Sequence, residues 1–332
     1  MSIRFVTGVN NYTRPDGRRA VATVGTFDGI HRGHQQLLAR LREVAIETGA
    51  EPVLITFHPH PRVVISPDNI PPLLTTLEEK KRFIPDFHSG TVLVIRFDEY
   101  IENLSARQFV KDILVEQVGV EHLIAGHDHT IGKDRRGDTA ELVRLGAEFG
   151  FDVEVVTPVL HDNEPVSSSS IRSAMLSGDY DKAVDLLGHD YAIYGQVERG
   201  LGLGRRLGYP TANVRYDLRK LLPAEGVYSC WSEIEGKSYY GMMFIGQNHF
   251  NPQARITVEV NLFDYDEDIY DRFITVYPIQ YIRSSERYDS TDLLVKQLSL
   301  DEQIVRALYD EEKDNDSNKR AQGSNCCGQS TA

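Results

Sequence analysis

The chain has 332 residues, long enough for two domains, and its 41% hydrophobic and 26% charged residues are the balance of a globular protein rather than a fibrous or low-complexity one. A net charge of −13 disfavours a broad nucleic-acid surface, which needs clustered Lys and Arg to displace phosphate counterions. No apolar run approaches the roughly 18 residues of a membrane span, MSIRFVTGVN lacks a basic-then-apolar leader, and three cysteines make no disulfide framework, so a cytoplasmic protein without membrane or nucleic-acid partners is expected.

In chain order, AVATVGTF (20–27) reads as a buried strand. The helix HQQLLARLREVAIETG follows, with apolar residues at 37, 38, 41, 44 and 45 on one face and an end near Gly49. PVLITF (52–57), TVLVIRF (91–97), HLIAG (122–126) and FDVEVVTPVL (151–160) repeat the strand signal, with helical patterns at LTTLEEKKRFI and ARQFVKDILVEQV between them. Strands alternating with helices predict an α/β N-terminal domain on a doubly wound, mainly parallel sheet, whose ligands bind beyond the carboxyl ends of the strands.

The string TFDGIHRGH (26–34) sits at such an end. Gly25 and Gly29 allow a tight turn, and Gly33 lets the backbone approach a ligand. Amides of the first helical turn then face that ligand, and the helix dipole favours an anion, with phosphate the natural guest. His31 and His34, three apart, share a helix face and converge on one anion. A neutral imidazole donates a hydrogen bond there; a protonated one adds charge where a pentacovalent phosphorus builds up negative charge.

Beyond 188 the texture changes to short alternating runs, YAIYGQVERG, GVYSCWSEI, KSYYGMMFIG, RITVEVNLFDY and FITVYPIQYIR, separated by Gly, Pro, Asp and Asn. They predict a small antiparallel β-barrel, closed by a helix over STDLLVKQLSLDEQIVRALYD (290–310). The expected division is 1–187, 188–310, and a disordered polar tail over 311–332. Within the barrel, RGLGLGRRLGYPTANV (199–214) carries glycines at 200, 202, 204 and 208, a flap whose amides suit phosphates. Thr211 and Asn213 then present a hydroxyl and an amide oxygen on one side of an extended segment, donors that suit Mg²⁺. Period 2 along TVEVNLF puts Thr257, Glu259 and Asn261 on one face, away from the apolar side.

The string G-T-F-D-G-x-H-x-G-H resembles the nucleotidyltransferase superfamily. With TFHPHPR (56–62), LLTTLEEKKRFI (73–84), LSARQFVKDIL (104–114), AGHDHTIGKDRRGD (125–138) and VSSSSIRSAMLSGD (166–179) in order, the first half resembles the FMN adenylyltransferase module of bacterial bifunctional riboflavin kinase/FAD synthetases. GYPTAN, GVY (226–228), VEVNLFDY (258–265) and IRSSERYDSTDLLVKQLSLD (282–301) similarly resemble the riboflavin kinase module. The resemblance implies phosphorylation of riboflavin to FMN with ATP, then adenylylation of FMN to FAD with release of pyrophosphate, both with Mg²⁺. It implies Glu259 as the kinase base and Thr211 and Asn213 as metal ligands; His31 and His34 would stabilise adenylyl transfer. Gly25, Phe27, Asp28, Gly33, Ser168, Ser169, Ser170, Arg172, Gly200, Gly202 and Gly204 are the candidate nucleotide or phosphate contacts. His58, Pro59, Asp128, Asp138 and Arg283 are candidates to bind or orient flavin, with His60, Pro61, Lys133, Arg135, Arg136 and Arg287 as further possibilities beside a plain loop or surface role.

The chain departs from the usual pattern at Thr130 and Ile131, where the family has Arg and Phe, at Ser170, where it has Thr, and in IGQNHF (245–250), where a Pro-Thr pair is usual. Two other readings stand beside the leading one: transfer of a nucleotide to another phosphorylated metabolite, and a flavin-binding protein with impaired turnover.

Overall fold

A computed structural model describes residues 3–133, 137–200, 202–247 and 256–324, with Asp16 and 311–324 as backbone alone. The chain forms two compact units. One holds the residues up to Ala174 together with Lys182–His189 and Arg219–Leu221; the other holds Met175–Asp181, Asp190–Leu218 and the residues from Leu222 onward.

The first unit is built on six strands: β1 (Arg4–Thr7), β2 (Ala20–Val24), β3 (Glu51–His58), β4 (Thr91–Arg96), β5 (Val120–Gly126) and β6 (Asp152–Val156). Their order is β1-β4-β3-β2-β5-β6, and every pairing is parallel. The central strands read as near-continuous apolar runs because both faces are covered; β2 is buried along its whole length. The edge strand β1, RFVT, is short and largely half-buried, too weak a pattern to stand out in the sequence. A two-stranded hairpin, β7 (Leu160–His161) and β8 (Glu164–Pro165), lies apart from the sheet.

Chain order explains where ligands go. From β2 the chain moves outward to β3 and β4, then returns to the other side of β2 as β5 and β6. Connections therefore leave β2 in opposite directions, the arrangement that opens a crevice at the carboxyl ends of the strands. Helix α1 (Arg32–Thr48) leaves β2 there, packs on β2, β3 and β5, buries Leu38, Leu41, Val44 and Ala45, and ends on a left-handed Gly49.

The remaining helices are α2 (Arg62–Ile65), α3 (Leu77–Phe87), α4 (Glu99–Asn103), α5 (Ala106–Gln108, continuing as a π-helical stretch Phe109–Val118), α6 (Thr139–Phe149), α7 (Ser168–Leu176) and α8 (Tyr180–Leu187). Helix α3 starts with a capping box in which Thr76 and Glu79 satisfy each other's backbone N–H.

In the second unit β9 (Ile193–Glu198), β10 (Ala212–Tyr216), β11 (Gly226–Ile234), β12 (Lys237–Gln247), β13 (Ile256–Leu262) and β14 (Phe273–Arg283) close into a barrel in the order β10-β13-β12-β11-β14-β9. All its pairings are antiparallel. The β11–β12 hairpin turns through Glu235 and Gly236, both at positive φ, as a two-residue turn that follows strand twist requires. A short α9 (Leu203–Arg206) lies in the glycine flap, and α10 (Thr291–Ser324) packs on β12. Helix α10 runs past 310, so the backbone of 311–324 is helical where the polar composition suggested a disordered tail. No proline interrupts that stretch, and extending a helix already started needs no new nucleus. Residues 325–332 lie outside the described residues.

Candidate active sites

The turn between β2 and α1 carries unusual backbone geometry. Phe27, Gly29 and Ile30 all lie at positive φ, 47°, 89° and 44°, a conformation non-glycine residues hold only when their surroundings impose it. A Cβ on Gly29 would come within 2.9 Å of Leu74. Its amide donates to Thr75 Oγ1 at 2.9 Å. The imposing residue is Asp28, 1% exposed. Its carboxylate accepts from Leu74 N, Thr75 N and Thr75 Oγ1 at 3.2, 2.9 and 3.3 Å and is ion-paired with Arg172. Arg172 also donates through Nε to the Pro72 carbonyl at 2.8 Å. Asp28 thus fastens the turn to the 72–75 segment, with its oxygens engaged by the protein's own donors.

On that turn sit the two histidines. His31 is the N-cap of α1 and makes no side-chain capping bond, so its side chain leaves the first-turn amides uncapped. The His31 and His34 rings stack at 3.6 Å and 21°, and Phe27 packs on His34 at 4.9 Å. Both Nδ1 atoms are buried without a hydrogen-bond partner. Burial pushes His31 down to about 4, with Asp28 and Asp128 pulling the other way; burial, His31 and Lys80 hold His34 well below its ordinary value. Of the two roles open to these imidazoles, the neutral hydrogen-bond donor is the one this geometry supports, because a second proton on stacked, desolvated rings is disfavoured.

The other expected residues of this unit divide. Ser168 donates to the Asp28 carbonyl at 2.8 Å. Ser170 is engaged with Ser167 at the start of α7, and Ser169 is exposed. Gly25 extends the strand pairing through its N–H to Ile55 O at 3.0 Å, and Gly33 lies against the His31 ring. His58 ends β3, Pro59 follows it through a cis bond, and His60 Nδ1 accepts from the Arg62 amide at 3.1 Å, which places its proton on Nε2.

Asp128 projects into solvent, 80% exposed at its side chain. Asp138 is the N-cap of α6, accepting from Glu141 N at 2.9 Å, an ordinary structural use of that residue type. Lys133 Nζ donates to Asn103 at 3.0 Å, whereas Arg135 and Arg136 lie outside the described residues. Ile131 is buried in the core of this unit and bridges Gly137.

Sequence reading passed over Lys80. It lies 7% exposed on α3, and its Nζ donates to the Thr26 carbonyl at 2.5 Å. Its signal was its spacing, since Lys80 shares a helix face with the buried Phe83 and Ile84. His129, whose Nε2 is buried and unpartnered, was also missed.

In the second unit a cavity of about 590 Å³ gathers Gly202, Gly204, Thr211, Asn213, Glu259, Asn261 and Arg283, within the size range of small-ligand sites. Asn213 on β10 stands opposite Glu259 on β13 in the strand register. Thr211 Oγ1 lies 3.5 Å from one Glu259 carboxylate oxygen and Thr257 Oγ1 3.5 Å from the other. Burial raises the Glu259 pKa, against the two hydroxyls. A Cβ on Gly204 would strike the Tyr209 carbonyl at 2.2 Å, so only glycine fits there. Gly200 lies against the Asn213 amide rather than on the cavity wall.

Arg283 is tied by Nε and a terminal nitrogen to Asp301, 2.6 Å at the shortest, and Asp301, completely buried, also accepts from Gln297 at 2.9 Å. Arg283 therefore bonds β14 to α10 while forming part of the wall. Asn261 donates to the Pro210 carbonyl at 2.7 Å and fixes the PTAN segment. Arg287 joins Glu286 and Tyr288 on the cavity rim. Asn248, His249 and Phe250 of the altered IGQNHF loop lie outside the described residues.

Oxygen donors alone converge at Thr211, Asn213 and Glu259. Among the described residues no group of three or more His, Cys, Asp or Glu has metal-binding geometry. Such a sparse oxygen set, two neutral donors beside one carboxylate, fits Mg²⁺ carried on nucleotide phosphates, because that ion keeps waters and phosphate oxygens as most of its ligands.

Comparison with known proteins places these two sites in context. A family described as FAD synthetase matches residues 13–170 and one described as riboflavin kinase matches 187–309. The bifunctional riboflavin kinase/FMN adenylyltransferase of Pseudomonas fluorescens is 39% identical over 92% of this chain and 98% of its own length. Its namesake in Escherichia coli K12 is 34% identical, with 92% and 98% covered. A Streptococcus pneumoniae structure titled macrolide-efflux protein superposes with a TM-score of 0.80 at 30% identity, covering 92% of this chain and 99% of that one. Among the described residues no helix is long and apolar enough to cross a membrane.

Proposed function

The chain belongs to the family of bifunctional riboflavin kinases/FMN adenylyltransferases, and on that premise we propose how its residues divide the two reactions. It makes FMN from riboflavin and ATP, then FAD from FMN and ATP. We assign adenylyl transfer to residues 1–187 and the kinase step to 188–310. The observation that carries the assignment is the separate clustering of the stacked His31–His34 pair and of Glu259 with Thr211 and Asn213.

In the kinase step the ribityl hydroxyl oxygen attacks the γ-phosphorus of ATP, its proton passes to Glu259, and ADP leaves. Burial makes Glu259 a stronger base than an exposed carboxylate, and the two flanking hydroxyls keep it oriented. Thr211 and Asn213 would hold Mg²⁺, which when bound neutralises phosphate charge. Gly202, with open space beside it, leaves room for the flap backbone to approach phosphates, Gly204 lets the flap fold onto the Tyr209 carbonyl, and Arg283, held by Asp301, forms the flavin-facing wall. Phosphoryl transfer depends mainly on such positioning and charge neutralisation.

In the adenylyl step a phosphate oxygen of FMN attacks the α-phosphorus of ATP and pyrophosphate leaves. His31 and His34, uncharged, donate N–H bonds to the phosphoryl oxygens, joined by the free amides of the α1 first turn. Asp28, Arg172 and Ser168 hold the turn in place. A cytoplasmic location fits the demand for ATP and the buried free thiol at Cys230.

The test is a chromatographic time course of the intact chain with MgATP and either riboflavin or FMN. The expected result is FMN followed by FAD from the first, and FAD with pyrophosphate from the second. Consumption of some other phosphorylated metabolite in preference to FMN, or tight flavin binding without product, would replace this reading.

A further inference from the structure

We propose that Lys80 is a positioning residue for adenylyl transfer, holding the Thr26 carbonyl so that Phe27 keeps its left-handed backbone and supports the stacked His31–His34 pair. The proposal rests on the assignment of that pair to FAD formation.

Lys80 reaches from α3 across to the turn between β2 and α1, and its Nζ donates to Thr26 O at 2.5 Å. The same carbonyl accepts from Thr56 Oγ1 on β3 at 3.1 Å. Two donors from two elements therefore fix the peptide between Thr26 and Phe27. Its orientation matters because the next residue stands at a φ of 47°, a conformation that strains an ordinary side chain unless its surroundings hold it. Phe27, 1% exposed, lies 4.9 Å from the His34 ring, and His34 lies on His31. The line of force runs from an ammonium to a carbonyl, to a strained backbone, to a ring, to the imidazole pair.

A surface lysine is not needed for any of this; a buried one is costly. Burial lowers the Lys80 pKa while Asp28 opposes the shift, so the group stays where its charge is least comfortable. The Lys80 charge also acts on His34, which faces His31 from α1 and Lys80 from α3. His31 in turn faces Asp28, Asp128, His189 and Arg172.

The experiment compares Lys80→Met, Lys80→Arg and Thr56→Val in the full chain, with riboflavin phosphorylation by the same preparation as internal control. Lys80→Met should lower kcat for FAD formation by about tenfold or more with KM for FMN and ATP nearly unchanged, since misplacing reacting groups by an ångström costs on this scale. Lys80→Arg should recover most of it. Loss of the positive charge should also move the acid limb of FAD formation to higher pH, because His34 then protonates more readily; Lys80→Arg, which keeps the charge, should leave that limb in place.

Should Lys80→Met fail to fold, Thr56→Val, which removes the second donor, decides the matter by lowering the same kcat. Unchanged kcat in Lys80→Met, or in Thr56→Val if it stands alone, overturns the proposal. Failure of the underlying assignment would look different: FAD formation would then survive removal of both histidines.

Discussion

His31 and His34 lie ring upon ring, 3.6 Å apart, with the inner nitrogen of each buried and unpartnered. Two imidazoles so close cannot both be charged, and their neutrality at physiological pH suits the donation of hydrogen bonds to a transferring phosphate. Changing both, His31→Ala with His34→Ala, should lower FAD formation by about 10²-fold or more, the scale of a lost transition-state donor. FMN formation should stay near the unaltered rate. Separate assays from riboflavin and from supplied FMN check this, and equal loss of both products would refute the division of labour.

Glu259→Gln keeps the shape of the cavity wall and removes the base. Riboflavin phosphorylation should fall by about 10²–10⁴-fold, the usual contribution of a positioned general base, while FAD formation from supplied FMN continues. Full kinase turnover in the variant would remove Glu259 from the reaction.

Acid should destabilise the protein through its buried histidines. Burial lowers His31 and His88 to about 4 from their ordinary 6.5. The unfolded chain therefore binds protons below about pH 6.5 that the folded chain refuses until about 4. Stability from these groups is complete above 6.5 and declines as pH falls through that window, by up to about 1.4 kcal/mol per group per pH unit. Urea midpoints measured at pH 7.5, 6 and 5 should fall in that order; a flat series would contradict the burial of these rings.

Lys220 and Glu79, both within the first unit, form an ion pair at 2.9 Å with side chains 1% and 0% exposed. Lys220→Met leaves Glu79 buried and uncompensated, which costs about 3–5 kcal/mol. The expected readout is a lower melting temperature, partly restored in Lys220→Met with Glu79→Gln. A melting temperature equal to that of the unaltered chain would show that the pair is not desolvated as it stands.

Much of the architecture was legible because local chemistry dictates it. Apolar strands separated by amphipathic helices leave a parallel sheet as the packing solution, and short alternating strands divided by turn residues leave a barrel. TFDGIHRGH and PTAN could be placed at a strand end and on an extended segment for the same reason. The edge strand Arg4–Thr7 was not legible, because three half-buried residues and one exposed carry no periodic signal. Nor was the helical run to Ser324, where charge and the missing apolar face point toward disorder and the helix continues one nucleated upstream.

Residue order was enough to set the side-chain types at the two sites, because glycines, paired histidines and a Thr-x-Asn step are local patterns that phosphate and magnesium chemistry require. Tertiary structure alone decided what those residues do for one another. It gave Asp28 to Arg172, Arg283 to Asp301 and Asp138 to a helix cap, and it brought Lys80 beneath the turn at Thr26. The physical reason is distance: a hydrogen bond or an ion pair acts over about 3 Å, and only the folded chain sets which groups, separated by tens or hundreds of residues, come that close.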